Sequence, residues 1–199
     1  MKKERVGFFG GSFDPLHFGH LNMAVSLFEA HALDSVLFCP AYHSPLKKSG
    51  HIVASSEQRM QMVHLGIQEN QRFAVLDWEI RQKKTSYTID TIQKLKKESN
   101  AEFFLLLGMD QLANLHKWKK VEELFQLAQP LIGSRENKEI ILDDLPATLH
   151  SLIDKGRTVI PMMDISSTVI RQRLSHKQFC GHLVPQSILD YIKHNQLYL

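Results

Sequence analysis

The stretch VGFFGGSFDPLHFGH, residues 6–20, limits what this chain can fold into more than any other. Val6 to Phe9 is too apolar for a loop and is closed by Gly10-Gly11, as expected of a buried parallel strand that ends in a turn. Without Cβ atoms, the two glycines let a ligand approach the main chain. Gly19-His20 leads into LNMAVSLFEAHAL, in which Leu21, Ala24, Val25, Leu27 and Phe28 share one helical face. His20 is therefore expected near a helix N-terminus, where free N–H groups and the positive dipole end favour an anion, commonly phosphate. His17 and His20 add ring N–H donors. No serine or cysteine nucleophile accompanies them at a spacing that points to a covalent intermediate, so the stretch reads as a site that binds and orients charge.

The rest of the chain repeats the strand-then-helix order. Ser35 to Cys39 is a second buried strand one helix after the first, which makes a βαβ unit. The segment from Pro40 to Val53 is polar, with a Lys47-Lys48 pair, and lies where α/β proteins place ligand contacts. Ser55 and Gln58 form the pattern of a capping box for the next helix. Phe73 to Leu76 is a third strand. Ser86 is placed to cap a helix running to about Ser99. FFLLL, Phe103 to Leu107, is apolar enough for a central strand, and Asp110 just beyond it has the character of a helix cap. Val121 to Leu127 reads as a short helix and Pro130 to Ser134 as a fifth strand. A last strand, Thr158 to Pro161, precedes Ser166-Ser167-Thr168, a second hydroxyl-capped helix start with Arg171 one turn inside. Residues 135–149 carry no clear chemical signal. The pattern predicts an α/β fold with a Rossmann-like, doubly wound parallel sheet, helices on both faces and a small C-terminal helical portion.

Composition excludes several classes. With 199 residues, 43% of them hydrophobic, the chain can bury one substantial core and is expected to form one domain over 1–199. A formal net charge of +3, spread rather than massed, does not imply a nucleic-acid partner. No stretch approaches a membrane span, and the apolar run before Gly10 is too short for a signal peptide. Cys39 and Cys180 are far apart and form no C-x-x-C, so neither a disulfide scaffold nor a zinc ribbon is expected, and the cytoplasm is the default compartment. His17 and His20 with Asp14 or His43 make a poor metal site, because no third ligand has clear spacing. An NAD-dependent oxidoreductase is discounted: G-x-G-x-x-G is absent and the second strand ends in Cys39-Pro40 rather than a ribose-binding acid.

Gly10-Gly11-Ser12-Phe13-Asp14-Pro15 followed by His17-Phe18-Gly19-His20 resembles the G-G-[ST]-F-D-P-x-H-x-G-H signature of bacterial nicotinate-nucleotide adenylyltransferases, within the H-x-G-H nucleotidylyltransferase superfamily. Later stretches resemble the same family. Pro40, Pro45 and Lys47 match its P-x-x-x-P-P-H-K pattern, from which Ser44 and Leu46 depart. Ser86-Tyr87-Thr88 with Thr91 is similar to its S-Y-T-x-x-T element, Gly108-Met109-Asp110 to its G-x-D element, Asn114 to Trp118 to N-x-x-x-W, and Ile165 to Arg171 to I-S-S-T-x-I-R. Leu183-Val184-Pro185, Tyr191-Ile192 and Leu197-Tyr198 resemble its closing helix.

The resemblance implies adenylyl transfer from ATP to nicotinate mononucleotide, with release of pyrophosphate, in NAD biosynthesis. In that scheme Gly10, Gly11, Ser12, Phe13, Gly108, Asp110, Ser167 and Thr168 contact ATP. His17, His20 and Arg171 hold its phosphates and are the catalytic set. Asp14, Lys47, Tyr87, Thr88, Trp118 and Lys119 contact the mononucleotide, with Trp118 stacking on its ring. Mg²⁺ is expected to arrive on the ATP phosphates, without a protein carboxylate cage. A homo-oligomer stays open. So do a nicotinamide or phosphopantetheine substrate, and a silent nucleotide-binding sensor on the same fold.

Overall fold

A computed structural model describes residues 2–46, 53–134, 145–161 and 163–199. Six parallel strands form one sheet in the order β3-β2-β1-β4-β5-β6. They are β1 (Arg5–Gly11), β2 (Ser35–Pro40), β3 (Phe73–Val75), β4 (Glu102–Gly108), β5 (Ala128–Ser134) and β6 (Arg157–Val159). The chain moves outwards from β1 to β3, then returns to lay β4 against the other side of β1. That reversal opens a crevice at the carboxyl ends of β1 and β4, the place where doubly wound sheets bind ligands.

Alternation along the central strands builds a core on each face. Phe103, Leu105 and Leu107 of β4 join Val6 and Phe8 of β1 in one cluster, whereas Phe104 and Leu106 join Phe9 in the other. Helices cover both faces, because a parallel sheet buried on both sides reads as a continuous apolar run. One face carries α1 (Phe18–Ala30), α2 (Ser56–Ile67), α8 (Ser167–Ser175) and α9 (Gln186–His194). The other carries α4 (Thr88–Glu98), the single turn α5 (Met109–Leu112), α6 (Val121–Leu127) and α7 (Ala147–Gly156). A short α3 (Trp78–Gln82) and a 3₁₀ turn (Leu115–Lys117) complete the elements. Burying each large side chain of this core contributes about 1.5–3 kcal/mol.

Several local expectations are corrected. β1 runs through Gly10 and Gly11, which pair with Cys39 and Pro40, so the turn comes at Ser12-Phe13. A Cβ on Gly11 would stand 2.8 Å from the Phe13 ring, and Phe13 itself takes a positive φ of 49°. The glycine thus lets Phe13 fold back under the strand. On α1, Met23 is buried and Val25 is exposed. Ser86 does not cap α4: the cap position is Tyr87, and the Ser86 hydroxyl accepts the Tyr42 N–H at 3.0 Å. Asp110 is not a cap either, since Gly108 holds that position before α5. The Ser55–Gln58 capping box is present as expected. Residues 135–144 of the uninformative stretch, and Lys47, lie outside the described residues.

Candidate active site

The crevice is a cleft of about 680 Å³, within the usual range for a small-molecule site. Its floor is the end of β1 and the start of α1. His17 is the N-cap of α1 and His20 its third residue, and each ring serves the other's backbone. The His17 Nδ1 accepts the His20 N–H at 3.4 Å, and the His20 Nδ1 accepts the His17 N–H at 3.3 Å. The rings stack with centroids 3.7 Å apart. A ring nitrogen that accepts an N–H carries no proton, so the proton of each neutral imidazole sits on Nε2. Burial lowers the His17 pKa from 6.5 to about 4. His17 is therefore a neutral donor at physiological pH, fixed in one tautomer by the helix it caps.

Beside this floor, α8 begins with Ser166, whose hydroxyl accepts the Val169 N–H at 3.3 Å. The Ser167 hydroxyl donates to the Pro15 carbonyl at 3.0 Å, tying this helix start to the loop after β1. Arg171 lines the cleft and donates to the Asp14 carbonyl at 2.8 Å. It also pairs with the Asp14 carboxylate at 3.6 Å. Ser167, Thr168 and Arg171 thus face the same cleft as the two histidines, more than 140 residues away in sequence.

The opposite end of the cleft is aromatic. Tyr87, Thr88, Trp118 and Lys119 line it together with Glu79. The Lys119 ammonium lies 4.5 Å from the Tyr87 ring centre and 2.9 Å from the Asp90 carboxylate. The Trp118 indole N–H is buried without a hydrogen-bond partner among the described residues. The Trp118 backbone N–H donates to the Leu115 carbonyl at 2.9 Å, so it is committed to its own turn.

A family model described as cytidylyltransferase-like matches residues 8–173. The chain is 37% identical to a probable nicotinate-nucleotide adenylyltransferase of Methylacidiphilum infernorum, over 98% of this chain and 92% of the relative. It is 35% identical to one of Clostridium acetobutylicum, over 100% of both chains. The chain belongs to the nicotinate-nucleotide adenylyltransferase family. The solved nicotinic acid mononucleotide adenylyltransferase of Plasmodium falciparum, complexed with NaAD, has the same fold with a TM-score of 0.77. It is 19% identical over 98% of this chain and 97% of that one.

The adenylyltransferase cleft gathers most of the residues singled out in the sequence: Gly10, Gly11, Ser12, Phe13, His17 and His20, with Gly108 and Asp110, Ser167, Thr168 and Arg171, and Tyr87, Thr88, Trp118 and Lys119. Asp14 is a correction. It was expected to touch the mononucleotide, but it is 1% exposed and is not part of the cleft lining. Its carboxylate is occupied by the Val53 and Ala54 N–H groups at 2.9 and 3.1 Å and by the Tyr198 hydroxyl at 2.6 Å.

Three residues escaped the sequence reading. Glu79 is a buried carboxylate in the lining. It accepts the Thr91 hydroxyl at 2.7 Å and also bonds Ser86 and Cys39. Arg59, 1% exposed, donates to the carbonyls of Ser12, Tyr42 and Ala54. Tyr198 is the third. Arg59 and Glu79 stand among other polar residues and Tyr198 within the stretch that resembles the closing helix, and their partners are remote, so no local spacing sets them apart.

Proposed function

We propose that the chain joins ATP and nicotinate mononucleotide to give nicotinate adenine dinucleotide and pyrophosphate, in NAD biosynthesis, with the phosphates held at the histidine end of the cleft and the pyridine ring at the aromatic end. The observation that carries this division of the cleft is its polarity. Two fixed Nε2–H donors and the Ser166–Arg171 helix start stand at one end, and Tyr87 with Trp118 at the other. An oxygen of the mononucleotide 5′-phosphate attacks the α-phosphorus of ATP in line. The bond to the β-phosphate breaks, and its electron pair leaves with pyrophosphate. The nucleophile is already an anion, so no strong general base is needed. Positioning and charge stabilisation supply the acceleration.

His17 and His20 donate to the ATP phosphates, Gly10 and Gly11 let the nucleotide lie against the strand, and Gly108 and Asp110 border the adenosine. Arg171 and the first N–H groups of α8 receive charge on the leaving pyrophosphate. Among the described residues no three His, Cys, Asp or Glu side chains converge on a metal position. In this reading Mg²⁺ would come on the ATP phosphates, mostly hydrated. When bound, the ion neutralises phosphate charge. Selectivity for the acid over the amide rests on backbone N–H groups beside Tyr87, Thr88 and Lys119, since the Trp118 N–H donates to the Leu115 carbonyl. The two buried free cysteines fit a reducing, cytoplasmic setting. Among the described residues no helix is long and apolar enough to cross a membrane.

Incubation of the purified protein with ATP, Mg²⁺ and a panel of nicotinate, nicotinamide and pantetheine monophosphates, followed by mass analysis, tests the reading. The expected product is nicotinate adenine dinucleotide, formed with a higher kcat/KM than the amide product. Equal values for acid and amide would remove the selectivity, and a pantetheine product would move the substrate class.

A further inference from the structure

Tyr198 lies 184 residues after Asp14 in sequence, yet its hydroxyl donates to the Asp14 Oδ1 at 2.6 Å in a buried contact. Burial and the neighbouring Asp14 carboxylate raise its pKa, so the hydroxyl keeps its proton and remains a donor. Its backbone is held at φ 62°, a left-handed conformation that a tyrosine adopts only where its surroundings compel it. Asp14 is the point of convergence. One carboxylate takes Tyr198, the N–H groups of Val53 and Ala54, and the Arg171 guanidinium. The Asp14 carbonyl takes Arg171 as well, at 2.8 Å. Arg59 adds a second buried cation to the same cluster, and both arginines act on Tyr198 electrostatically. An arginine head group that reaches a cleft through a long flexible stem needs such a fixed anchor to hold one position.

We propose that Tyr198 is a positioning residue for adenylyl transfer: through Asp14 it holds Arg171 in place at the cleft. This rests on the reading above that Arg171 receives the leaving pyrophosphate. The hydroxyl fixes the carboxylate, the carboxylate and its carbonyl fix the guanidinium, and the guanidinium meets charge that grows only as the bond to pyrophosphate breaks. The effect therefore belongs in kcat. A misplacement of about 1 Å, even from a change remote from the chemistry, can cost about 10²-fold in rate.

The test is a double-mutant cycle of Tyr198→Phe and Arg171→Ala, assayed for dinucleotide formation well below the thermal midpoint of each variant. Tyr198→Phe is expected to lower kcat by roughly 10-fold while both KM values stay within about twofold. In the Arg171→Ala background the same change is expected to leave kcat unaltered, because the group it positions is gone. Equal falls in both backgrounds, or a Tyr198→Phe enzyme with wild-type kcat, overturn the proposal. If Tyr198→Phe does not fold, Asp14→Asn takes its place in the cycle with the same expected pattern. A wild-type chain that makes no dinucleotide from ATP and nicotinate mononucleotide overturns the functional reading and this proposal together. An active wild type with additive variants overturns this proposal alone.

Discussion

Asp14 and Glu79 are both buried carboxylates within reach of one cleft, and the protein holds them by opposite means. Asp14, at the histidine end, is surrounded by N–H groups, a tyrosine hydroxyl and the guanidinium of Arg171. Glu79, at the aromatic end, has neutral partners among the described residues, the Thr91 and Ser86 hydroxyls and the Cys39 thiol, and burial raises its pKa. A buried carboxylate with a cation beside it fixes that cation. One held by neutral donors is destabilised as an anion and serves as a hydrogen-bond acceptor that locks loops together. The histidine end is thus organised for charge, and the aromatic end for shape.

The largest expected effect breaks the histidine end alone. His20→Ala removes one fixed Nε2–H donor where charge develops, and by analogy with loss of an oxyanion donor it should lower kcat by about 10²–10³-fold. Because His20 also completes the capping box with His17, the thermal midpoint should fall too, by an amount matching about 1 kcal/mol. ATP affinity should change much less than kcat. Measuring kcat, ATP dissociation and the midpoint on one preparation checks this, and near-normal kcat would refute the assignment of His20.

The next effect sharpens the contrast through pH, because the two ends have stability slopes of opposite sign. His17 is lowered from 6.5 to about 4, so its contribution is fully present above pH 6.5 and is lost as pH falls through about 4. That loss amounts to roughly 3 kcal/mol at 1.36 kcal/mol per unit. Glu79 is raised above the ordinary value of 4.5, so its contribution is full below that value and fades as pH rises through the raised one. His17→Asn keeps a capping acceptor but does not titrate, and should flatten the stability curve between pH 6.5 and 4. Glu79→Gln should flatten the part that begins near pH 4.5 and runs upwards. Denaturant melts across pH read both, and slopes of the same sign would end the comparison.

The smallest effect tests the aromatic end. Trp118→Ala should weaken use of the mononucleotide by about 0.5–1.5 kcal/mol of stacking plus the lost contact area, leaving ATP binding nearly unchanged. Truncation also removes a buried indole N–H that has no partner among the described residues, which offsets part of the packing loss. Parallel loss of affinity for ATP and mononucleotide, measured by titration calorimetry, would make Trp118 a structural residue.

Features decided within a few neighbouring residues were legible in advance. FFLLL is apolar without interruption, and it became the central strand β4. Ser55 and Gln58 are three apart, and they form the capping box of α2. The two helix starts, at His17 and Ser166, were visible because capping depends on residues within one turn. Where two polar residues competed for one local role, the tertiary partner decided. Ser86 was a reasonable cap by spacing, but its hydroxyl is taken by the Tyr42 N–H from another segment. Asp110 lost its cap position to Gly108 by two residues.

Asp14 shows where local reading stops. Its neighbours in sequence are the signature residues, and the resemblance of that signature assigned it to the ligand. Its partners in space are Val53, Ala54, Arg171 and Tyr198, none within 38 residues. Sequence by itself determined the alternation of strand and helix, the capped helix start after β1 and the family, because periodicity, capping and motif spacing are short-range properties. Only the tertiary structure decided which buried carboxylate anchors cations and which braces loops. Those roles depend on how far each group is desolvated and on which distant donors reach it, and both quantities come into being only when the sheet closes around them.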